Sequence, residues 1–314
     1  DVELVIDSSK SIVTQNDSPD ISFRYSINPY RGCTHGCAYC YARPSHEYLG
    51  FNAGSDFETK IVVKSDAPDL FRDFLAKKTW TPEPIVFSGV TDCYQPTERK
   101  FKLTRRCLEV AMECKQPVSL ITKNALIERD LDLLRMMSAE SLVHAYLSIT
   151  TLDPVLARNM EPGTSIPSAR LRAVESLADA GVPVGVMIAP TIPGLNDSEI
   201  PTVLKACKEA GATNANYILL RLPLTVRPVF LDWLKRTLPR QADKVISRIC
   251  DTRDASLNRS QWGERMTGTG EIADQIRSLF DVFRKKHGLD QPLPPHNCEL
   301  FRAPRPRSGQ LTLF

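Results

Sequence analysis

Short apolar runs alternate with longer amphipathic stretches along most of the chain. The runs hold many β-branched residues, as buried strands do, and they occupy residues 58–63, 84–87, 118–122, 142–149, 183–188 and 217–222. The amphipathic stretches repeat apolar residues at helical spacing over residues 69–77, 100–114, 130–137, 168–180 and 197–210. Strands that are apolar throughout need cover on both faces, so the alternation predicts an α/β fold with a parallel sheet and helices outside it.

The pattern changes toward both ends of the chain. Residues 1–21 are polar and irregular, which predicts a lead-in segment before the α/β body of residues 22–227. Residues 228–288 carry apolar positions at helical spacing and predict a C-terminal helical extension. Residues 289–314 are rich in proline and arginine, which predicts an extended tail that does not pack on the domain.

The composition is that of a globular protein without a dominant charge. The chain has 314 residues, of which 42% are hydrophobic and 25% charged, which is enough for a sizeable core. A formal net charge of +3 neither requires nor excludes a nucleic-acid partner. No apolar run reaches the roughly 18 residues of a membrane span, and the first residues lack a signal-peptide pattern. We therefore expect a monomer that does not associate with membranes.

Three cysteines, Cys33, Cys37 and Cys40, are spaced C-x3-C-x2-C within one short stretch. Soft thiolate ligands select iron–sulfur clusters or zinc, and this spacing can place three sulfurs around three corners of a cubane cluster. A structural zinc ion prefers four protein ligands, usually in two pairs, and the chain has no second C-x-x-C pair. The spacing therefore predicts a 4Fe-4S cluster with one iron free of protein ligands. A zinc site with a distant fourth ligand and a chance grouping of cysteines are the alternatives.

The cysteine count bears on the compartment. Nine cysteines, an odd number without regular pairing, do not resemble the disulfide framework of a secreted domain. An oxygen-sensitive cluster also requires a reducing environment. We therefore expect the protein in the cytoplasm.

Five further motifs resemble the radical S-adenosylmethionine proteins related to spore photoproduct lyase, more closely the bacterial branch described as DNA repair photolyase-like. The motifs are Asn-Pro-Tyr-Arg-Gly-Cys (28–33), Thr-Asp-Cys-Tyr-Gln-Pro (91–96), Ile-Thr-Lys (121–123), Ser-Ile-Thr-Thr-Leu-Asp (148–153) and Ile-Ala-Pro-Thr-Ile-Pro-Gly-Leu-Asn-Asp (188–197). The resemblance implies a partial (β/α)6 radical SAM barrel with the cluster in the loop after the first strand. It also implies a 4Fe-4S cluster and S-adenosylmethionine as cofactors, with an external electron donor.

Parallel barrels carry function in the loops at the carboxyl ends of their strands, and the resemblance implies that S-adenosylmethionine binds there. The expected contacts are Tyr39 for the adenine, Ser88 and Gly89 for the methionine amino group, Lys123 for the methionine carboxylate, and Ser148 and Thr150 for the ribose or the methionine portion. The alternatives are a packing role for the tyrosine, a solvent-facing lysine, and ordinary strand polarity for the two hydroxyls.

The resemblance also implies a cysteine that returns a hydrogen atom to a product radical. Cys93 is the candidate, because an S–H bond is weak and this residue follows the strand at 84–87. It follows that strand by only a few residues, but it is displaced from the position that the family motif indicates. Tyr94 stands beside it and is the candidate relay for the hydrogen atom.

Trp262 and Arg265 lie between two helical segments and are candidates for substrate contact. An exposed tryptophan can stack on a base, and a flanking arginine can hydrogen-bond to it. A loop pinned by a buried tryptophan is the alternative.

The chain ends in a peptide that resembles the sliding-clamp binding motif of bacteria, Gln-Leu-x-Leu-Phe. A flexible tether would let such a peptide dock while the enzyme samples nearby DNA. A tail that folds back on its own domain is the alternative. The residues concerned are Gln310, Leu311, Leu313 and Phe314.

These features predict a radical S-adenosylmethionine enzyme that abstracts hydrogen from a nucleic-acid substrate, as a lyase that repairs a DNA lesion. A lesion would have to leave its base stack to reach the cluster. One alternative is radical modification of a peptide or a small molecule. The other is a cluster-bearing, DNA-associated protein without catalytic turnover.

Overall fold

The computed structural model of the protein describes residues 2–304. The strands, in chain order, are β1 (Glu3–Ile6), β2 (Val13–Gln15), β3 (Tyr25–Ile27), β4 (Tyr30–Arg31), β5 (Lys60–Val63), β6 (Ile85–Phe87), β7 (Val118–Thr122), β8 (Val143–Ser148), β9 (Val184–Thr191) and β10 (Asn214–Leu219). The α-helices are α1 (Ser55–Thr59), α2 (Ala67–Leu75), α3 (Glu98–Phe101), α4 (Leu103–Cys114), α5 (Leu131–Ala139), α6 (Pro154–Met160), α7 (Pro167–Asp179), α8 (Ile200–Glu209), α9 (Val226–Thr237), α10 (Ala242–Asp251) and α11 (Glu271–Lys286). Within these residues, no helix combines the length and the apolar composition that crossing a bilayer requires.

The larger of two sheets is an open barrel of parallel strands. Its order is β2-β3-β6-β7-β8-β9-β10, and every neighbouring pair from β3 to β10 is parallel, whereas β2 runs antiparallel to β3. Helices connect the successive parallel strands, as parallel pairing requires. These six strands and their helices form a partial (β/α)6 barrel, so the predicted fold class is confirmed.

Apolar residues that fall in register build the core of the barrel. Ile27, Phe87, Leu120, Ala145 and Val184 are consecutive partners across five neighbouring strands, and all five are buried. Fully burying one large aliphatic or aromatic side chain stabilises a fold by about 1.5–3 kcal/mol. The strands are apolar at successive positions because both faces of the sheet are covered.

The structure corrects the predictions for the first part of the chain. The segment predicted to be irregular contains, within residues 2–21, the strands β1 and β2. β1 pairs with β5, and β5 with β4, in a second sheet of three strands, so the apolar run at 58–63 forms a strand outside the barrel. The first barrel strand is β3, whose three residues are too few to show a period in the sequence.

The C-terminal helices have two different positions. α11 packs against α8, and the ring of Phe280 on α11 lies 4.7 Å from the ring of Tyr217 on β10, measured between centroids. α11 therefore belongs to the helical layer of the barrel. α9 and α10 instead pack, through Phe230 and Val245 among others, against the loop that carries the cysteine motif.

Residues 289–304, hereafter the strap, cross the amino-terminal ends of the barrel strands. The Ala215 amide of β10 donates to the Leu289 carbonyl at 2.9 Å, and the Asn297 amide donates to the Ser141 carbonyl, just before β8, at 2.9 Å. The prediction that this stretch does not pack is therefore wrong for residues 289–304. Proline keeps the segment extended and removes only donors, so its carbonyls still accept hydrogen bonds.

Two histidines connect the strap to the sheet. His144 on β8 and His296 on the strap have ring centroids 3.8 Å apart. Nε2 of His144 lies 2.8 Å from the Pro294 carbonyl oxygen, and Nε2 of His296 lies 3.1 Å from the Val118 carbonyl oxygen. Burial and the nearby His296 lower the pKa of His144 to about 4, and burial also lowers the pKa of His296. Both rings are therefore neutral at neutral pH.

Acid should loosen the strap. In the unfolded chain histidine takes up a proton below about pH 6.5, but folded His144 does so only near pH 4. The stability that depends on neutral His144 is therefore fully present above about pH 6.5 and is lost as the pH falls toward 4. We expect the urea-derived free energy of unfolding to fall less between about pH 7.5 and pH 5 in the double variant His144→Gln/His296→Gln than in the wild type. The control His287→Gln should keep the wild-type pH dependence. An unchanged pH dependence in the double variant would contradict the prediction.

Candidate metal centre and cofactor site

The three motif cysteines lie on residues 33–40, hereafter the cluster loop, which follows β4 in the connection after barrel strand β3. Cys33 and Cys37 are buried, and the third cysteine is partly exposed. A buried loop has no ladder of its own, so its backbone groups need other partners. The Cys33 amide donates to the Phe57 carbonyl at 2.8 Å, and the Arg43 guanidinium donates twice to the Cys37 carbonyl, at 2.8 and 3.1 Å. These bonds fix the backbone that carries the thiols.

The donor set fits a cluster bound by three cysteines. All nine cysteines, which fall within the described residues, are free thiols. Burial raises the pKa of Cys33, Cys37 and Cys40, so these groups are neutral thiols until cationic iron replaces their protons. Within residues 2–304, no three His, Cys, Asp or Glu side chains are arranged for a single metal ion. Three soft donors on one loop are the ligands that an iron–sulfur cluster takes.

Asp92 joins the loops that follow β3, β6 and β7. Its carboxylate accepts from the Thr122 hydroxyl at 2.7 Å and from the Lys123 amide at 2.8 Å. His35 of the cluster loop places Nδ1 3.5 Å from the same carboxylate, and its Nε2 lies 3.2 Å from the side-chain nitrogen Nδ2 of Asn124. Burial lowers the pKa of His35, so the ring is neutral. The cluster loop is thus attached to two neighbouring strand ends.

A buried ion pair lies against the cluster loop from the side of β8. Glu161 pairs with Arg170 and accepts hydrogen bonds from the hydroxyls of Tyr39 and Thr150, the latter at 2.6 Å. Burial opposes ionisation of Glu161, but the charges of Arg170 and Lys123 and the two hydroxyl donors outweigh it, so the pKa of Glu161 is lowered. This carboxylate is therefore ionised and holds the cluster loop to the loop after α6.

The predicted S-adenosylmethionine contacts from three strands meet at this end of the barrel. Lys123 places Nζ 5.8 Å from the centroid of the Tyr39 ring. Ser148 is buried at the end of β8. The hydroxyls of Tyr39 and Thr150 are both bound to Glu161, so these side chains have fixed positions. Their contacts with the cofactor remain predictions.

Ser88 and Gly89 form a strained turn directly after β6. Ser88 has a φ of 80°, in the left-handed region that costs a non-glycine residue about 1–2 kcal/mol. A Cβ on Gly89 would lie 2.7 Å from the Ser26 hydroxyl oxygen, so only glycine fits without movement. The Gly89 carbonyl accepts from the Tyr41 hydroxyl at 2.9 Å, which ties the turn to the residue after the cluster loop.

Cys93 and Tyr94 are buried after this turn. The Cys93 amide donates to the Ser88 hydroxyl at 2.8 Å, so the predicted hydrogen donor adjoins a predicted cofactor contact. Burial, followed by the charge of Asp92, raises the pKa of the Cys93 thiol, which therefore keeps its proton. The Tyr94 hydroxyl donates to Asp130 at 3.1 Å, and a relay through Tyr94 requires that bond to break. The two catalytic roles remain predictions.

The two predicted substrate-contact residues differ in their exposure and in their contacts within the chain. Trp262 is 60% exposed, so the alternative of a loop pinned by a buried tryptophan is wrong. Arg265 is engaged within the chain by Asp20 and Ser18 of the lead-in segment. The predicted clamp-binding residues lie outside the described part of the chain: Gln310, Leu311, Leu313 and Phe314.

Glu161 and Arg170 were not predicted from the sequence, because they lie outside every motif quoted above. One signal was present, because residues 160–164 read Met-Glu-Pro-Gly-Thr and form a turn in the connection after a strand, where functional loops occur. The partners of Glu161 were not visible in the sequence, since Tyr39 lies 122 residues away.

Gly163 lets that turn approach the cluster loop closely. Its amide donates to the His35 carbonyl at 3.0 Å. A Cβ built on Gly163 would lie 2.1 Å from the Thr34 carbonyl oxygen, which is backbone and cannot swing aside. The position therefore requires glycine for a steric reason.

Gly163→Ala should displace the cluster loop, because overpacking of this kind costs about 1–3 kcal/mol. We expect anaerobically reconstituted variant to bind clearly less iron and acid-labile sulfide per chain than the wild type, with weaker iron–sulfur absorbance. The control is Gly181→Ala, where an added Cβ meets nothing within 4 Å but the backbone has a positive φ. That control should lose some stability and keep its full iron content. Equal iron in Gly163→Ala and the wild type would show that the contact does not position the thiols.

Comparisons with known proteins match the barrel region of this chain. The family model described as the radical SAM superfamily matches residues 27–207. An uncharacterised protein of Mycobacterium tuberculosis is 38% identical over 221 residues, which cover 70% of this chain and 65% of that protein. An uncharacterised protein of Methanocaldococcus jannaschii is 32% identical over 176 residues, 56% of this chain and 63% of that protein. The chain thus spans just under two thirds of the length of these relatives.

Solved structures show the same fold. Spore photoproduct lyase complexed with dinucleoside spore photoproduct superposes with a TM-score of 0.64 and 17% identity, over 90% of this chain and 79% of that one. A mutant of that lyase with bound AdoMet and dinucleoside spore photoproduct gives a TM-score of 0.63 and 16% identity, over 90% and 78%. The cofactors of this fold and cysteine motif are a 4Fe-4S cluster and S-adenosylmethionine. With a family match over more than half of its length, the chain belongs to the radical SAM superfamily.

Proposed function

We propose that the chain is an enzyme that acts on nucleic acid and repairs a lesion in DNA, as a lyase similar to spore photoproduct lyase. The observation that carries the proposal is the thiol of Cys93, which is buried and adjoins the Ser88 side chain just after β6. A lyase that breaks a bond between two bases leaves a carbon radical, and a nearby thiol supplies the hydrogen atom that quenches it. The likeness in fold to a lyase that binds a dinucleoside lesion supports the same substrate class.

The chain's own residues bind and orient the cofactor in this proposal. When bound, the cluster and S-adenosylmethionine supply reductive cleavage of a C–S bond and abstraction of a hydrogen atom, with an electron from an external donor. The ammonium of Lys123 would neutralise the methionine carboxylate. The turn at Ser88 and Gly89 would present backbone carbonyls to the methionine amino group, and Tyr39, whose hydroxyl is bound to Glu161, would contact the adenine.

Cys93 is suited to hold a hydrogen atom until it is needed. Its side chain is buried and its residue is 1% exposed, so solvent neither ionises nor oxidises the thiol readily. The left-handed backbone of Ser88 and the hydrogen bond between Ser88 and Cys93 fix the distance from the strand end. A lesion flipped from its base stack could reach this site, where the Cys93 thiol would quench the carbon radical.

The test uses anaerobically reconstituted protein, reduced with dithionite and given S-adenosylmethionine and ultraviolet-irradiated thymine-containing DNA. We expect one lesion to disappear in step with 5′-deoxyadenosine, and deuterium from a labelled lesion to appear in that nucleoside, both followed by mass spectrometry. 5′-Deoxyadenosine with every lesion intact would contradict repair and point to a peptide or small-molecule substrate. No 5′-deoxyadenosine would contradict turnover and favour a DNA-associated protein that does not catalyse a reaction.

Cys93→Ala should separate hydrogen abstraction from hydrogen return. We expect cleavage of S-adenosylmethionine to persist while the repaired product falls about tenfold or more, a barrier change near 1.4 kcal/mol, with side products in its place. The control is Cys207→Ala, which removes an equally buried thiol from α8 and should leave the product distribution unchanged. Normal product from Cys93→Ala would exclude Cys93 as the donor.

The C-terminal peptide extends the proposal to a partner. Its resemblance to the sliding-clamp motif of bacteria supports recruitment of the enzyme to DNA through Gln310, Leu311, Leu313 and Phe314. Apolar side chains of this kind bind in a partner's hydrophobic pocket, and a tether raises their effective concentration. A cytoplasmic location and a monomeric state remain predictions.

Removing the two apolar anchors should abolish clamp binding. Each buried Leu or Phe contributes about 1.5–3 kcal/mol, so Leu313→Ala/Phe314→Ala should weaken binding to a purified bacterial sliding clamp at least about a hundredfold. Surface plasmon resonance measures this, and the control Thr312→Ala changes the intervening position of the motif. Iron content should be the same in all three proteins. Retained binding by the double variant would refute the recruitment hypothesis.

A further inference from the structure

An arginine without an anionic partner lies at the same end of the barrel as the cluster loop. Arg221 follows the end of β10 and is half-buried. Its Nη1 lies 3.7 Å from the Met266 sulfur, a weak acceptor, and its buried Nε has no hydrogen-bond partner. Within residues 2–304, no carboxylate lies within ion-pair distance of this guanidinium. A buried cation in this state is costly unless an anion joins it.

A second buried arginine increases the positive charge. Arg253 is 1% exposed and donates to the Leu220 and Glu264 carbonyls, at 2.8 and 3.2 Å, while its Nε has no partner. Burial and the charge of Arg221 lower the pKa of Arg253 to about 10, so it remains a cation at neutral pH. The bond to Leu220 fixes the backbone directly before Arg221. Two like charges are thus held close together.

The nearby carboxylates do not compensate this charge. Asp20 pairs with Arg265 and accepts from the Gly263 amide at 2.7 Å. Glu264 directs its carboxylate to Arg259, at 3.1 Å. The charge of Arg265 acts on Arg221 as well, and repels it more than Asp20 attracts it. The region therefore has an excess of positive charge.

Exposed aromatic and apolar side chains border the arginine. Tyr41, the residue after Cys40, is 51% exposed and lies within electrostatic range of Arg221. Trp262, which precedes the Gly263 amide bound to Asp20, is 60% exposed. Arg221 is thus close to Tyr41, which follows the cluster loop, and to Met266, which belongs to the same inter-helical loop as the exposed tryptophan.

We propose that Arg221 binds a backbone phosphodiester of the nucleic-acid substrate while Trp262 stacks on an adjacent base. The inference rests on the proposed function for its substrate class. A guanidinium offers a planar fork that matches two phosphate oxygens, and aromatic faces take bases of any sequence. Arg253 does not touch the substrate in this arrangement; it is a positioning residue that holds Leu220.

The test compares Arg221→Gln with Arg227→Gln, an exposed arginine on α9 that serves as a charge-matched control. Fluorescence anisotropy measures binding of a single-stranded thymine octanucleotide by holoenzyme at several salt concentrations. We expect Arg221→Gln to weaken binding about tenfold and to reduce the slope of log Kd against log salt by about 0.7, the value for one phosphate contact on a single strand. Arg227→Gln should behave as the wild type.

Two further arms identify the ligand. An octanucleotide with a neutral methylphosphonate backbone should bind the wild type and Arg221→Gln equally, because the charge that Arg221 recognises is gone. S-adenosylmethionine affinity, from equilibrium dialysis, should be the same in both proteins; its loss in Arg221→Gln would assign the arginine to the cofactor and overturn the inference.

The outcomes separate the inference from the function on which it rests. If the wild type binds the natural octanucleotide and Arg221→Gln binds it with equal affinity and salt slope, the phosphodiester site is wrong and the proposed function stands. If the wild type binds inorganic phosphate through Arg221 but no octanucleotide, the nucleic-acid substrate is wrong, and the anion belongs to a small phosphorylated molecule. Arg221→Gln should unfold at the wild-type temperature or higher, because it relieves repulsion with Arg253.

Discussion

The fixed position of three thiols on one largely buried loop is the constraint on which the rest of the site depends. A buried loop lacks the internal hydrogen bonds of a helix or a strand, and each unpaired buried group costs about 1–3 kcal/mol. The cluster loop meets this cost with partners from distant parts of the chain, including the Phe57 carbonyl, the Arg43 guanidinium and the Met160 carbonyl, which accepts from the Ala38 amide. These hydrogen bonds fix the backbone of the cluster loop, and the fold of the barrel brings the partners together.

The two ends of the barrel divide stability from function. At the carboxyl ends of the strands, polar loops carry Asp92, Lys123 and Glu161, and a strained turn at Ser88 adds backbone energy to the same region. At the amino-terminal ends, the strap satisfies backbone groups and covers the core. Barrels commonly place their chemistry and their stability in this way, since loops at one end can vary without disturbing the strands. Packing elsewhere in the barrel thus offsets the free-energy cost of burying charge at the carboxyl ends of the strands.

Local patterns predicted much of the fold, whereas long-range partners were invisible to them. Five of the six parallel strands were predicted because each has a continuous apolar run, and β3 was missed because it has three residues. The cysteine motif was predictable because eight consecutive residues contain all of it. Glu161 could not be predicted as a site residue, because its hydrogen-bond partner Tyr39 lies 122 residues away in the sequence. The strap was predicted to be extended, but the composition of a proline-rich segment does not reveal that His296 reaches Val118.

The strap also sets the order in which the chain can complete its fold. His296 meets Val118 across 178 residues, so the amino-terminal end of β7 waits for a contact made by nearly the last described part of the chain. At a synthesis rate of roughly 5–20 residues per second, that interval is about 9–36 s on the ribosome. During this time the remaining barrel strands are synthesised, but the strap does not yet cover the amino-terminal ends of the strands. Iron–sulfur loading of the cluster loop before the strap binds would therefore take place in an incomplete barrel.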